Sequence, residues 1–255
     1  MTVRKLYAFL NERIPTSLSC AWDNDGLMCC ADADAKVKRV LVALDITAKV
    51  VKTAIDGGYD LIVSHHPLIF SPLRAIDPDD HVAKKVISLL RAGISAMSFH
   101  TRLDAVEGGV NDRLASLLGL EYIAPFGQEG EEIGRVGSLA APMTLKEFAA
   151  LVRSATGAEQ LLVSDAGRTV SRVALLGGSG SDDVKAAIKA GADTYLTGEL
   201  KHNYLTDAPE LGINLVSAGH FHTEDPVCLR IKELLLEADA SLTVDIVSSN
   251  TVTVM

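Results

Sequence analysis

One stretch of this chain repeats another, and that repeat limits the fold more than any other feature. Arg39-Val40-Leu41-Val42-Ala43-Leu44 is matched by Arg172-Val173-Ala174-Leu175-Leu176-Gly177, 133 positions later (residue 172 against residue 39). At that spacing, without a gap, Gly58 meets Gly191, Asp60 meets Asp193, Ser64 meets Thr197, and His66 falls opposite Glu199. The following runs, Gly93-Ile94-Ser95-Ala96-Met97-Ser98 and Gly212-Ile213-Asn214-Leu215-Val216-Ser217, also correspond, and His100 falls beside Gly219-His220. Self-similarity of this kind marks a structural unit used twice.

The unit itself is legible. Val37 to Leu44 has an apolar strand pattern, and Asp45-Ile46-Thr47 offers helix N-caps. Val50, Val51, Ala54 and Ile55 make an apolar helix face that Gly57-Gly58 closes. Tyr59-Asp60-Leu61-Ile62-Val63, bounded by that glycine pair and by Pro67, reads as a buried strand ending in Ser64-His65-His66. A β-α-β unit implies parallel strands and a right-handed crossover. A helix is expected over 80–91, a strand over 94–99 that delivers His100, a loop holding Asp104, and a helix over 110–118. Each half is thus β-α-β-α-β-α.

Before the first unit, residues 2–13 read as a helix stopped by Pro15, and Trp22-Asp23-Asn24-Asp25-Gly26-Leu27 as a turn. Trp22, the only tryptophan, is read as a packing anchor of that loop, with a place on the rim of a site as the alternative. Between the halves, Val136 to Ala140 and Leu161 to Val163 read as strands, and Thr144 with Glu147 as a capping box. Leu242 to Val254 is strand-like. The expected architecture is α/β: two linked, internally repeated halves, with mixed sheets flanked by helices and a metal site between them. The halves are expected at 1–123 and 124–255, interleaved, with no further inserted domain.

Bulk properties narrow the function. The formal net charge of −9 over 255 residues lacks the basic footprint that nucleic-acid or anionic-membrane binding needs. Four cysteines without CxxC spacing fit a reduced, cytoplasmic chain. The opening residues carry helical spacing rather than a secretory leader's apolar core, and no apolar run reaches membrane-spanning length. Gly177-Gly178-Ser179-Gly180-Ser181 lacks the Lys-Ser/Thr of a P-loop and the third glycine of a dinucleotide fingerprint; it reads as a tight βα turn.

The chemistry gathers at strand ends: His65-His66, His100 with Asp104, Glu199 with His202, and His220 with Glu224. In open α/β sheets ligands bind at that edge. Two adjacent imidazoles fan apart and suit two ions side by side better than one. His220 and Glu224, four residues apart at a helix start, share a face. Such a set of imidazoles and carboxylates would be costly as mere core and suits a two-metal site with a bridging carboxylate.

Trp22-Asp23-Asn24-Asp25-Gly26-Leu27, Ser64-His65-His66-Pro67, His100-Thr101-Arg102-Leu103-Asp104, Thr197-Gly198-Glu199-Leu200-Lys201-His202 and Gly219-His220-Phe221-His222-Thr223-Glu224 resemble, in order and over nearly the whole chain, the GTP cyclohydrolase 1 type 2 homologue (Nif-three-like) family. The resemblance implies two linked α/β domains around a dinuclear site and a ring-shaped homohexamer. It implies His66 and Asp104 on one ion, His65 and His220 on the other, and Glu224 bridging. His100, Glu199 and His202 are then supporting or substrate-facing. It further implies opening of a purine-like ring C–N bond by a divalent-metal hydrolase, with a nucleotide-like small-molecule substrate and two divalent ions per subunit drawn from Zn, Fe, Mn, Co or Ni. A metal-binding or metal-delivery protein without turnover, and a two-metal phosphoesterase, are the competing readings.

Overall fold

The computed structural model describes residues 1–253. It forms two compact units, Met1–Val106 with Val227–Thr251, and one built on Glu107–Pro226. The elements of the first stretch are α1 (Val3–Arg13), β1 (Gly26–Cys29), β2 (Arg39–Ala43), α2 (Ala48–Asp56), β3 (Leu61–Ser64), α3 (His81–Ala92), β4 (Ser95–Ser98) and α4 (Thr101–Ala105). The middle stretch holds α5 (Val110–Leu117), β5 (Glu121–Gln128), β6 (Glu131–Met143), α6 (Leu145–Thr156), β7 (Leu162–Ser164), β8 (Val170–Ser179), α7 (Val184–Lys189), β9 (Thr194–Glu199), α8 (His202–Leu211), β10 (Asn214–Ser217) and α9 (His220–Glu224). The chain then closes with α10 (Val227–Ala238) and β11 (Thr243–Ile246).

The first unit is a five-stranded sheet in the order β1-β4-β3-β2-β11. β2, β3, β4 and β11 run parallel, and β1 is antiparallel to β4. β3 and β4 are buried at every position, as strands of a parallel sheet covered on both faces must be. Leu41, Ala43 and Ile62 pack with Val50, Val51 and Ala54 of α2 and with Val86 and Leu89 of α3. Sequence alone assigns everything after 123 to the second half. In the structure β11 extends the first sheet beside β2, with Val244 facing Val40, because β2 otherwise presents an unpaired edge. The strand expected to reach Val254 is confined to Thr243–Ile246, and Val254 lies outside the described residues.

The second unit is a six-stranded mixed sheet, β5-β6-β8-β9-β10-β7. β8, β9 and β10 are parallel; β5, β6 and β7 join antiparallel. Along β8, Val173 and Leu175 point into one core with Phe148 and Leu114, whereas Ala174 and Leu176 point into another with Tyr195 and Phe126. That alternation is the strand period of two. α5, expected with the first half, belongs here because Leu114 and Ala115 pack in the Phe148 cluster.

The repeat is now a physical correspondence. Val40 pairs with Leu61 and Val173 with Thr194, each pair displaced by the same sequence offset. Asp60 Oδ2 accepts from the backbone N–H groups of Lys38 and Arg39 at 2.8 and 2.9 Å. Asp193 Oδ2 accepts from those of Ser171 and Arg172 at 3.0 and 2.8 Å. In both units a carboxylate at the start of the second strand pins the start of the first. The likeness extends to an antiparallel edge strand, β1 beside β4 and β7 beside β10. The expected capping box is present: Thr144 Oγ1 accepts from Glu147 N at 3.3 Å, and Glu147 accepts from Thr144 N at 2.8 Å. Phe148 is fully buried, so Phe148→Ala is expected to cost about 3–5 kcal/mol of stability. Denaturant melts of wild type and variant would check this.

Candidate metal centre

The parallel register of the first unit brings three strand ends to one edge. His65 and His66 follow β3, and His100 follows β4 as the residue before α4. Asp45 follows β2. One ring nitrogen from each of His65, His66 and His100 lies within 4.8 Å of the others. The ring centroids are 5.0 Å apart for His65–His66, 5.3 Å for His65–His100 and 5.7 Å for His66–His100. No ion is needed to explain how the rings are oriented, because each has a fixed partner.

Those partners decide where the protons are. His65 Nδ1 lies 2.9 Å from the carbonyl oxygen of Phe99. A carbonyl only accepts, so Nδ1 is the donor in this bond. His66 Nδ1 donates to Asp45 Oδ1 at 2.7 Å, and Asp45 Oδ2 accepts from Ser249 Oγ at 2.9 Å. His100 Nδ1 donates to Asp23 Oδ1 at 2.8 Å. Burial alone would raise the Asp23 carboxyl, but the bonds from His100 and Thr101 outweigh it and hold the group at about 2. It is therefore ionised and accepting at neutral pH. All three imidazoles have Nδ1 engaged by a fixed partner, the arrangement that orients histidines for metal binding.

Asp104 sits on α4 rather than in the expected loop. It is buried, with Oδ1 3.7 Å from His65 Nε2, longer than a hydrogen bond. Its helix is fixed by Arg102, whose buried guanidinium donates to Asp25 Oδ2 at 2.8 Å, Asn11 Oδ1 at 2.7 Å and the Ile14 carbonyl at 3.0 Å. Asp45, expected as a cap, serves His66 instead; Thr47 caps α2, accepting from Val50 N at 3.2 Å.

The second unit repeats the logic with fewer groups. His220 and Glu224 lie one turn apart on α9, with His220 Nε2 3.1 Å from Glu224 Oε2. His220 Nδ1 faces Glu199 Oε1 at 3.3 Å, at the end of β9. Glu224 is buried and Glu199 exposed. His202 opens α8 and is exposed. Gly177 and Gly178, expected in a tight βα turn, lie instead in β8, where its pairing with β9 is irregular, and form the floor of this cluster. Gly178 has φ +67°, and a Cβ there would overlap Glu224 Oε1 and come within 3.0 Å of His220 Nε2. Its N–H donates to Thr223 Oγ1 at 3.1 Å. Sequence reasoning missed Asp23, Asp45 and Gly178. The signal for the two aspartates was their position, one beside Trp22 and one at the end of a strand.

The donor set fits divalent first-row ions: clustered imidazole nitrogens and buried carboxylates. The protein is thus of a definite class, a two-unit α/β chain whose strand ends carry histidine and carboxylate groups able to hold metal. The chain belongs to the Duf34/NIF3 (NGG1p interacting factor 3) family, whose model matches residues 1–253. It is 34% identical over 243 residues to the GTP cyclohydrolase 1 type 2 homolog of Clostridium perfringens, covering 93% of this chain and 92% of that one. It is 34% identical over 222 residues to the Protein NIF3 homolog of Schizosaccharomyces pombe, covering 81% and 79%. Among solved structures, reduced HcgD of Methanocaldococcus jannaschii superposes with a TM-score of 0.84 at 30% identity, covering 97% of each chain. A Bacillus cereus protein related to NIF3 superposes at 0.88 with 24% identity, covering 100% and 99%, and shows the fold. Among the described residues no helix is long and apolar enough to cross a membrane.

Two outcomes test the site. Gly178→Ala is expected to displace Glu224 and lower metal affinity by at least about tenfold, the scale of losing an orienting contact; metal titration of the apo-protein would read it. Asp23 is depressed in the fold, so its stabilisation is present above its unfolded value near 4 and fades as pH falls toward about 2. In chelator-treated protein, the stability gap between wild type and Asp23→Asn should shrink over that window in acid titrations.

Proposed function

We propose that this chain is a divalent-metal-dependent hydrolase with a dinuclear site, acting on a C–N bond of a heterocyclic, nucleotide-like small molecule. The observation that carries the reading is the convergence of ring nitrogens from His65, His66 and His100 within 4.8 Å of one another, each ring oriented through its Nδ1. Following the family resemblance, His66 and Asp104 would hold one ion, His65 and His220 the other, and Glu224 would serve as a ligand to both. When bound, the ions supply Lewis acidity for ionising water and polarising a substrate oxygen. His100 accepts a proton at Nε2, and the ionised Asp23 on its Nδ1–H stabilises the imidazolium that results. Glu199 orients His220, and His202, exposed at the start of α8, faces substrate.

The relatives' printed names support the GTP cyclohydrolase-like direction, and the catalytic set is His100, Glu199, His202 and Glu224. Four cysteines that form no disulfide accord with a reducing cytoplasm. The chain works as a homohexamer without membrane or nucleic-acid partners. Elemental analysis of the purified protein should find about two divalent ions per chain. His65→Ala and His220→Ala should each reduce that content, as ligands of one shared ion do. Wild type should turn over at least one member of a panel of nucleotides and pterin precursors, and Glu224→Ala should lose turnover by two orders of magnitude or more. Bound metal without turnover in either protein would favour metal delivery, and phosphate release from GTP without ring opening would favour a phosphoesterase.

A further inference from the structure

Two large aromatic side chains stand in solvent beside the histidine cluster, against the general tendency to bury them. Trp22 is 55% exposed and Phe70 54% exposed. Full burial of either would be worth about 1.5–3 kcal/mol, so leaving both out has a cost that packing does not recover. They are not loose. The Trp22 loop is bound through Asp23 to Thr101 N at 3.0 Å and through Asp25 to His100 N at 3.2 Å. Asn24 Nδ2 donates to the Ile69 carbonyl at 2.5 Å, joining that loop to the residue before Phe70. The expected role of Trp22 as a buried anchor does not hold: the aspartates and Asn24 anchor the loop, and the indole is presented outward.

The two rings and His100 form a corner. Trp22 and Phe70 are 6.3 Å apart at 66°, Trp22 and His100 6.1 Å at 78°, and Phe70 and His100 6.1 Å at 87°. A flat ring laid on one exposed face meets the edge of a neighbour, which is the geometry aromatic quadrupoles favour. Perpendicular aromatic rings also attract organic cations. A neutral flat ring and an organic cation are the two occupants such a corner could take, and tetramethylammonium in the titration below separates them.

We propose that Trp22 and Phe70 form a stacking platform that holds the planar heteroaromatic ring of the substrate against the His65-His66-His100 cluster. The inference rests on the metal-site reading for what lies beside the platform, and it adds how the ring is recognised. A π face reads flatness and area rather than a donor and acceptor pattern. The platform should therefore accept different purine-like bicycles with similar affinity and hold single rings less well.

Trp22 is the only tryptophan, so intrinsic fluorescence reports this site alone. Full-length protein, metal-loaded and chelator-treated, would be titrated with guanosine, adenosine, uridine, ribose 5-phosphate and tetramethylammonium, with excitation on the red edge of indole absorption. Saturable quenching is expected with both purine nucleosides, weaker with uridine, and absent with ribose 5-phosphate. Phe70→Ala and Phe70→Leu should raise the nucleoside Kd about tenfold, the scale of one stacked base, while Phe70→Tyr retains wild-type affinity; metal content should stay unchanged in all three. The proposal is overturned if neither purine nucleoside gives saturable quenching, if ribose 5-phosphate or tetramethylammonium quenches as well as guanosine does, or if Phe70→Leu binds like wild type. A protein that binds nucleosides yet takes up no metal keeps the platform and ends the hydrolase reading. One that takes up metal but ignores nucleosides does the reverse.

Discussion

Parallel strand pairing in a fixed register is the constraint from which the candidate chemistry follows. Parallel neighbours end at the same edge of a sheet, so the residues after β2, β3 and β4 gather there without any further design. Val40 opposite Leu61 and Leu61 opposite Ser95 fix that alignment. Slipping one strand by a single residue would exchange the side chains of its two buried faces and carry its histidines away from the cluster. Asp60 and its counterpart Asp193 guard against such slippage by tying the start of the second strand to the start of the first in each unit.

Proximity of imidazoles does not by itself make a ligand set. Three neutral rings side by side can each present either nitrogen, and only the partner on the far side selects one. The Phe99 carbonyl, Asp45 and Asp23 make that selection for His65, His66 and His100. Two of these partners are themselves held, Asp45 by Ser249 and Asp23 by Thr101. The order so created extends from backbone to carboxylate to imidazole. In the second unit the glycine pair of β8 has the complementary task of leaving space, since Glu224 occupies the volume that a side chain at 178 would need.

Much of this was legible before any coordinates. The strand ending in His65-His66, the shared helical face of His220 and Glu224, and the Thr144–Glu147 capping box all follow from spacing, because each depends on residues a few positions apart. What was not legible depended on residues far apart in the chain. Asp23 reaches His100 across 77 positions, and Ser249 reaches Asp45 across 204. Trp22 illustrates the difference: an isolated indole in a polar turn suggests an anchor, and only the bonds made by its neighbours show that the turn is anchored without it.

The sequence by itself determined the repeated β-α-β unit, the apolar central strands and the set of histidines and carboxylates at their ends, because periodicity and local capping are encoded within short windows. Only the tertiary structure decided that β11 returns to the first sheet, that α5 belongs with the second, and which partner orients each imidazole. Those outcomes are set by which unpaired edge, apolar face or carboxylate a distant segment finds on folding, and no local pattern contains that information.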